Sequence, residues 1–220
     1  MVWILNMPKP VFISFDGLDG TGKSTQCRFL IDWLASQKIP ATACIDPGGT
    51  AIGQELRKIV LFGREHRIAT LTEAMLFMAS RAQLVEEVIR PALDRGEVVV
   101  SDRFTLANVV YQGHAGGLRP EDLWTVGKFV TSGIEPDLTL VFDAPLEVSH
   151  ARRQREADRM EERDYEFQRR VQTGFRYEAG RRPEKHRIID ATPEVEVVQR
   201  HVRREVARVL ASHGWPLTEG

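Results

Sequence analysis

Short apolar runs, each about five residues long, alternate along the chain with longer segments whose apolar positions recur at helical spacing. The runs predict strands at Val11 to Asp16, Ala41 to Ile45, Val98 to Ser101, Leu138 to Asp143 and Arg187 to Asp190. The longer segments predict helices at Lys23 to Ser36, Gly53 to Phe62, Thr72 to Asp94, Pro120 to Ser132, Pro145 to Glu156, Arg163 to Glu178 and Glu194 to Ser212. Strands and helices in alternation imply an α/β fold with a parallel sheet. The first, third and fourth runs are apolar at nearly every position and rich in β-branched residues, so they belong at the sheet centre, covered by helices on both faces. No internal repeat and no Ser/Gly linker breaks the pattern, which predicts one domain over residues 1–220.

Composition narrows the choice of partners. An apolar fraction of 42% supplies a sizeable core, and 30 Lys+Arg against 31 Asp+Glu leave a formal charge of −1, so net charge attracts no nucleic acid. Only Cys27 and Cys44 are present, which excludes a disulfide scaffold and a multi-cysteine zinc site and points to a reducing compartment. No run approaches the roughly 18 to 20 apolar residues of a membrane span, and the opening MVWILNMPKP lacks the marks of a signal peptide. The expectation is a cytoplasmic protein without a membrane partner, Met7 being a candidate start. One local shift stands out: between Arg152 and Arg187, twelve Lys+Arg face eight Asp+Glu, an excess of four positive charges.

The strongest chemical signal is Gly17-Leu18-Asp19-Gly20-Thr21-Gly22-Lys23-Ser24, which fits G-x-x-x-x-G-K-[ST] between a predicted strand and a predicted helix. Its glycines let backbone N–H groups turn toward an oxyanion, and the helix N-terminus adds its dipole. Lys23, expected at a loop rim, would neutralise β- and γ-phosphate oxygens, and the Ser24 hydroxyl would ligate Mg²⁺. No Asn-Lys-x-Asp guanine-reading segment occurs, and the third strand ends in Ser101-Asp102-Arg103 rather than an Asp-Glu pair. Asp102 is placed to hold Mg²⁺ through water, and Arg103 to hold a second anion opposite the first. Two facing anion sites suit phosphoryl transfer between two nucleotides.

Further segments extend the pattern: Asp16 through Thr25, Asp46-Pro47-Gly48-Gly49-Thr50, Glu55 through Leu61, Glu73 through Arg81, Asp102-Arg103-Phe104 with Tyr111-Gln112-Gly113, and Pro136 through Leu140. In this order they resemble bacterial thymidylate kinases over nearly the whole chain, from about Val11 to the final helix. The resemblance implies a P-loop kinase fold with a five-stranded parallel sheet, ATP as phosphoryl donor, deoxythymidine monophosphate (dTMP) as acceptor, Mg²⁺, and a homodimer. It implies that Gly17 through Thr25 bind ATP and that Asp19 bonds the acceptor's sugar hydroxyl. Taken alone, Phe77 would be core and Arg81 an exposed charge; the resemblance makes Phe77 stack on thymine and Arg81 bond a base carbonyl. It likewise gives Asn108 a polar contact to base or sugar, lets Tyr111 fill the space of a ribose 2′-OH, and places Gln112 in the substrate site.

The family divides by whether an extra phosphate-clamping arginine lies in the P-loop or in a mobile lid. Leu18-Asp19-Gly20-Thr21 holds none, so the similarity assigns a lid at about residues 152–163, with Arg152 and Arg159 as clamps and Arg155 and Arg163 left open. One departure concerns the usual Thr-Arg-Glu before Pro-Gly-Gly. This chain has Cys44-Ile45-Asp46, so the acceptor phosphate would rest on Arg57 and Arg103, with Arg64 or Arg67 as candidates to fill the gap. Two rivals follow: a kinase for another pyrimidine nucleoside monophosphate, and a regulatory nucleotide-binding protein without catalysis. Lys23, Ser24, Asp102 and Arg103 argue against the second.

Overall fold

A computed structural model describes residues 8–63, 67–152, 159–160 and 162–217. Five parallel strands form one sheet in the order β2-β3-β1-β4-β5: β1 Val11–Gly17, β2 Ala41–Ile45, β3 Val98–Asp102, β4 Leu138–Asp143 and β5 His186–Asp190. As the patterning predicts, the three apolar runs are central, and β1 and β3 are buried at every position. The register sets Phe15 beside Asp102 and Leu140, so β1, β3 and β4 end together at one crevice.

Alternation along the strands divides the core. Val11, Ile13 and Phe15 face a layer made by α1 (Lys23–Ser36) and α9 (Val195–Ser212), where Leu30, Leu34, Val202 and Val206 are fully buried. Phe12 and Val99 face the opposite layer, against Leu84, Val85 and Ile89. That layer contains α2 (Ala51–Phe62), α3 (Thr70–Leu84), α4 (Arg90–Asp94), α5 (Thr105–Asn108), α6 (Pro120–Val130), α7 (Leu146–Ala151) and α8 (Tyr165–Arg181).

The boundaries shift where caps act. Thr50 accepts the Gly53 amide at 3.0 Å and starts α2 two residues before the periodicity does; Asp164 accepts the Phe167 amide at 2.7 Å and starts α8 after Arg163. The predicted helix Thr72 to Asp94 runs from Thr70 but widens to a π turn at Val85–Ile89, just before Pro91, which has no N–H for the ladder. Helices predicted to Ser132 and Glu178 end instead at Val130 and Arg181. The end proposed at Glu156 lies outside the described residues. Thr105–Ala115, α5 continued as a π turn from Val109, is a helical stretch absent from the predicted elements. Nearly all of it is buried, so no polar face marks its period.

Candidate active site

Two glycines make the loop after β1 possible. Gly17 has φ +130°, and a Cβ there would sit 2.3 Å from the Phe142 carbonyl oxygen of the neighbouring strand. Gly22, at φ +87°, caps α1 in the left-handed region that side chains avoid. Between them Lys23 bends back under the loop: its Nζ donates to the Leu18 carbonyl at 2.6 Å and lies 3.7 Å from Asp19. Only 5% of Lys23 is exposed, so it is buried beneath the loop and not at a rim. A lysine is read from the motif, but its depth depends on helix α1 and the strands beneath. Burial, reinforced by Arg103, lowers its pKa from the usual range.

Two clefts meet at this lysine. The larger cleft, about 710 Å³, runs along Asp19 through Gln26 to Ala191, Pro193 and Val195 at the start of α9. Arg152 lines it, its guanidinium donating to the carbonyls of Ala191 at 2.5 Å and Thr192 at 2.8 Å. The second pocket, about 180 Å³, is framed by Ile45, Arg57, Phe77, Arg103, Tyr111 and Met160. Asp19, Lys23 and Ser24 line both.

The second pocket gathers nearly every acceptor residue predicted from sequence. Arg103, at φ +71°, turns its guanidinium toward Asp19 (2.6 Å) and the Gly17 carbonyl (3.0 Å), above the Tyr111 ring. The Tyr111 hydroxyl donates to the second Asp19 oxygen at 3.3 Å, while its ring packs against Phe167 and Phe175. Burial opposes charge on Arg103, yet Asp19, Tyr111, Asp102 and Asp16 together hold its pKa well above the ordinary value. Arg57 donates to the Pro47 carbonyl at 2.7 Å. Phe77 is half-buried at the pocket wall, not sealed in the core. Arg81 is 1% exposed, with Nε donating to Asp46 at 2.5 Å and Nη1 to Asn108 at 2.6 Å, so the estimate from its residue type alone is overturned. Burial raises the Asp46 pKa, and Arg81 offsets part of that.

At the crevice between the clefts, the Ser24 hydroxyl donates to Asp102 at 2.5 Å. Oxygen donors at the end of β3 and the start of α1 suit Mg²⁺, which takes one or two protein ligands and completes its shell with phosphate and water. Among the described residues no cluster of three or more His, Cys, Asp or Glu forms a protein-only cage. Asp16, fully buried at the end of β1, has one oxygen without a partner, and burial pushes its pKa up to about 7 against the pull of Arg103 and Lys23.

The lid residues are divided. Arg159 does not join Arg152 at the larger cleft: it donates through Nη1 to the Val60 carbonyl at 2.9 Å and stands 3.8 Å from Glu73 on α3. Arg163 faces the same carboxylate at 3.3 Å. Arg67 is exposed and does not line the second pocket. Arg64, Arg155 and the lid positions 153–158 and 161 lie outside the described residues, as do Met1 and Met7. Asp46 and Glu73 carry no role in the sequence reading; both fall inside motif segments, which is the signal that points to them.

Two clefts converging on one P-loop lysine are the arrangement of a P-loop kinase acting on a second nucleotide. The thymidylate kinase family model matches residues 15–202. Thymidylate kinases of Symbiobacterium thermophilum (43% identity, covering 91% of this chain and 94% of theirs) and of Caldanaerobacter subterraneus (42%, 90% and 96%) align along nearly their whole length. The thymidylate kinase of Neisseria meningitidis serogroup B is 40% identical, with 93% and 98% covered. The crystal structure of thymidylate kinase from Ehrlichia chaffeensis superposes with a TM-score of 0.73 over 90% of this chain and 99% of that one, a likeness of fold at 24% identity. The chain belongs to the thymidylate kinase family, and its activity is the ATP-dependent phosphorylation of dTMP to dTDP.

Proposed function

We propose that the donor cleft seats ATP with its γ-phosphate beside Lys23, and that the smaller pocket seats dTMP with its phosphate toward Arg57 and Arg103 and its base toward Phe77 and Arg81. The observation that carries this is the sharing of Asp19, Lys23 and Ser24 by both clefts, which brings donor and acceptor phosphates face to face. An acceptor phosphate oxygen forms the new bond to the γ-phosphorus, the bond to the β,γ-bridging oxygen breaks, and ADP leaves with that electron pair. No covalent enzyme intermediate is needed, and the protein's share is positioning and neutralisation of charge.

For Lys23 to act, its Nζ must exchange the Leu18 carbonyl for phosphate oxygens. Arg152 flanks the same cleft and is the described lid arginine best placed for the donor phosphates; Arg159 enters the mechanism only after leaving Val60 and Glu73. Ser24 and Asp102 would hold Mg²⁺, which when bound neutralises phosphate charge. Asp19, fixed by Arg103 and Tyr111, would take the acceptor's sugar hydroxyl, with the Tyr111 ring closing the space beside it.

The same reading extends to assembly and location. Ile52, Ile59 and Phe62 on α2, Leu71 and Met75 on α3 and Phe129 on α6 are exposed apolar side chains, and they support a homodimer through these helices. One sheet with its two helical layers supports a single catalytic domain. No helix among the described residues is long and apolar enough to cross a membrane, which fits a cytoplasmic enzyme. Coupled ADP release tests the reading of the clefts: dTMP should stimulate ADP formation, and Lys23→Ala should abolish that stimulation. Stimulation by another pyrimidine monophosphate in place of dTMP would move the acceptor assignment to that nucleotide.

A further inference from the structure

None of the roles above uses Glu73, a side chain on α3 that is 1% exposed. A buried carboxylate has to be paired, and here Gln112, Arg159 and Arg163 supply partners. Its Oε1 accepts the Gln112 side-chain amide at 2.9 Å; its Oε2 accepts from Arg163 at 3.3 Å and lies 3.8 Å from Arg159. Gln112 lines the acceptor pocket, whereas the two arginines belong to the stretch that leads into α8.

Arg159 is held a second time. The last carbonyls of a helix have no partner within it, and a cation placed there is favourable. At the end of α2 the Leu61 carbonyl accepts the Arg159 backbone N–H at 3.1 Å, and the Val60 carbonyl accepts its Nη1 at 2.9 Å. Arg159 therefore caps α2 and faces Glu73 at once, with only 15% of its side chain exposed. What these bonds fix is the next residue. Met160 is 4% exposed, its carbonyl accepts the Gln168 side-chain amide at 2.9 Å, and it belongs to the buried cluster of Leu61, Tyr111 and Phe167. With Leu61 and Phe77 it forms the apolar side of the acceptor pocket.

We propose that Glu73 is a positioning residue for the acceptor: it docks Arg159 onto the end of α2 and so sets Met160 as a wall of the acceptor pocket, with Arg159 its docking partner and not a phosphate clamp. The proposal rests on the acceptor pocket assigned above. To become a clamp, Arg159 would have to give up the Val60 carbonyl and leave the buried Glu73 with one guanidinium fewer.

Initial rates at varied dTMP and varied ATP test this on Glu73→Gln, Arg159→Met, the double variant and Met160→Ala. Glu73→Gln keeps the shape and removes the charge; Arg159→Met keeps an apolar stem and removes the guanidinium. Each single change should raise KM for dTMP about tenfold, with kcat and KM for ATP changed by less than about threefold. The double variant should be no worse than the poorer of its two singles, because both remove the same docking. Met160→Ala should raise KM for dTMP in the same way with the ion pairs intact, and Arg159→Met carries the test if Glu73→Gln fails to fold. A fall in kcat of about tenfold or more in Arg159→Met, with Glu73→Gln near wild type, would make Arg159 a clamp and overturn the proposal. Losses spread equally over kcat and both KM values would leave Glu73 a structural role only and overturn it too. A higher KM in Met160→Ala alone would overturn the docking role and leave the pocket assignment standing. An unchanged KM for dTMP in every folded variant would overturn the pocket assignment as well.

Discussion

The proposed donor and acceptor halves of the site are built on opposite principles. The phosphate-binding core of the donor half is consecutive in sequence: one strand, nine residues of loop and helix start, and backbone amides made available by glycines at positive φ, with Arg152, Ala191 and Pro193 to Val195 forming the far wall. The acceptor half is assembled from side chains on β2, α2, α3, the residues after β3, and α8's approach, several of them bonded in a buried chain from Asp46 through Arg81, Asn108 and Gln112 to Glu73. Backbone recognition of phosphate is insensitive to what the phosphate is attached to, whereas a polar network with fixed donor directions distinguishes one base from another. Substitutions in the first half should change rate for all acceptors; those in the second should change stability and choice.

The largest effect expected is on the acceptor side. Arg81→Met would leave Asp46 buried without its partner, and breaking a buried pair from one side costs about 3 to 5 kcal/mol. Urea unfolding of the ligand-free variant at neutral pH measures it; a loss under about 1 kcal/mol would mean the pair contributes little more than an exposed one. On the donor side, Lys23→Ala should leave unfolding far less affected but lower kcat by roughly 10²- to 10³-fold, the usual consequence of removing a group that stabilises transition-state charge. Retention of more than about a tenth of the wild-type rate would remove Lys23 from that role.

The contrast also explains what was legible in the sequence. The P-loop and the central strands were visible because each is a local pattern: consecutive glycines, Lys and Ser, or an unbroken apolar run. Lys23's burial was not, since the motif gives a residue type and not the depth at which the sheet holds it. Arg81 looked exposed because its partners are remote, Asp46 lying 35 residues away and Asn108 27. Glu73 finds Gln112 across 39 residues. Thr105–Ala115 escaped detection because a segment buried on nearly every side has no amphipathic period. Family resemblance pointed to residues that line one pocket but not to the bonds between them.

A smaller effect sharpens the comparison at the seam of the two halves. Burial pushes the Asp16 pKa up from 3.8 to about 7, so the folded state favours its protonated form. Below pH 4 both folded and unfolded chains carry the proton and no penalty arises. As pH rises from about 4 to 7 the unfolded carboxyl ionises first, and stability declines by roughly 1.4 kcal/mol per pH unit at most. Asp16→Asn should therefore raise Tm at pH 8 and leave it nearly unchanged at pH 4. Parallel Tm–pH curves for variant and wild type would show that Asp16 has the same pKa in the folded and unfolded chains.

The smallest predicted change lies at Ile45, which is 38% exposed at the pocket mouth beside Arg57 and Arg103. Ile45→Arg should tighten dTMP binding by roughly 1.5 to 3 kcal/mol through a charged hydrogen bond, seen mainly as a lower KM. An unchanged KM for every monophosphate would mean that the acceptor phosphate already has its full set of cations.

The central claim is that the donor half supplies rate and the acceptor half supplies choice, and a single panel of initial rates tests it most directly. ADP release is measured at saturating ATP and Mg²⁺ with dTMP, deoxyuridine, deoxycytidine, deoxyguanosine and ribouridine monophosphates in turn. The account predicts the highest kcat/KM for dTMP, with deoxyuridine monophosphate lower by about tenfold for the missing methyl group and the remaining acceptors lower still. Equal rates across the panel, or ADP release that does not depend on the acceptor, would contradict it.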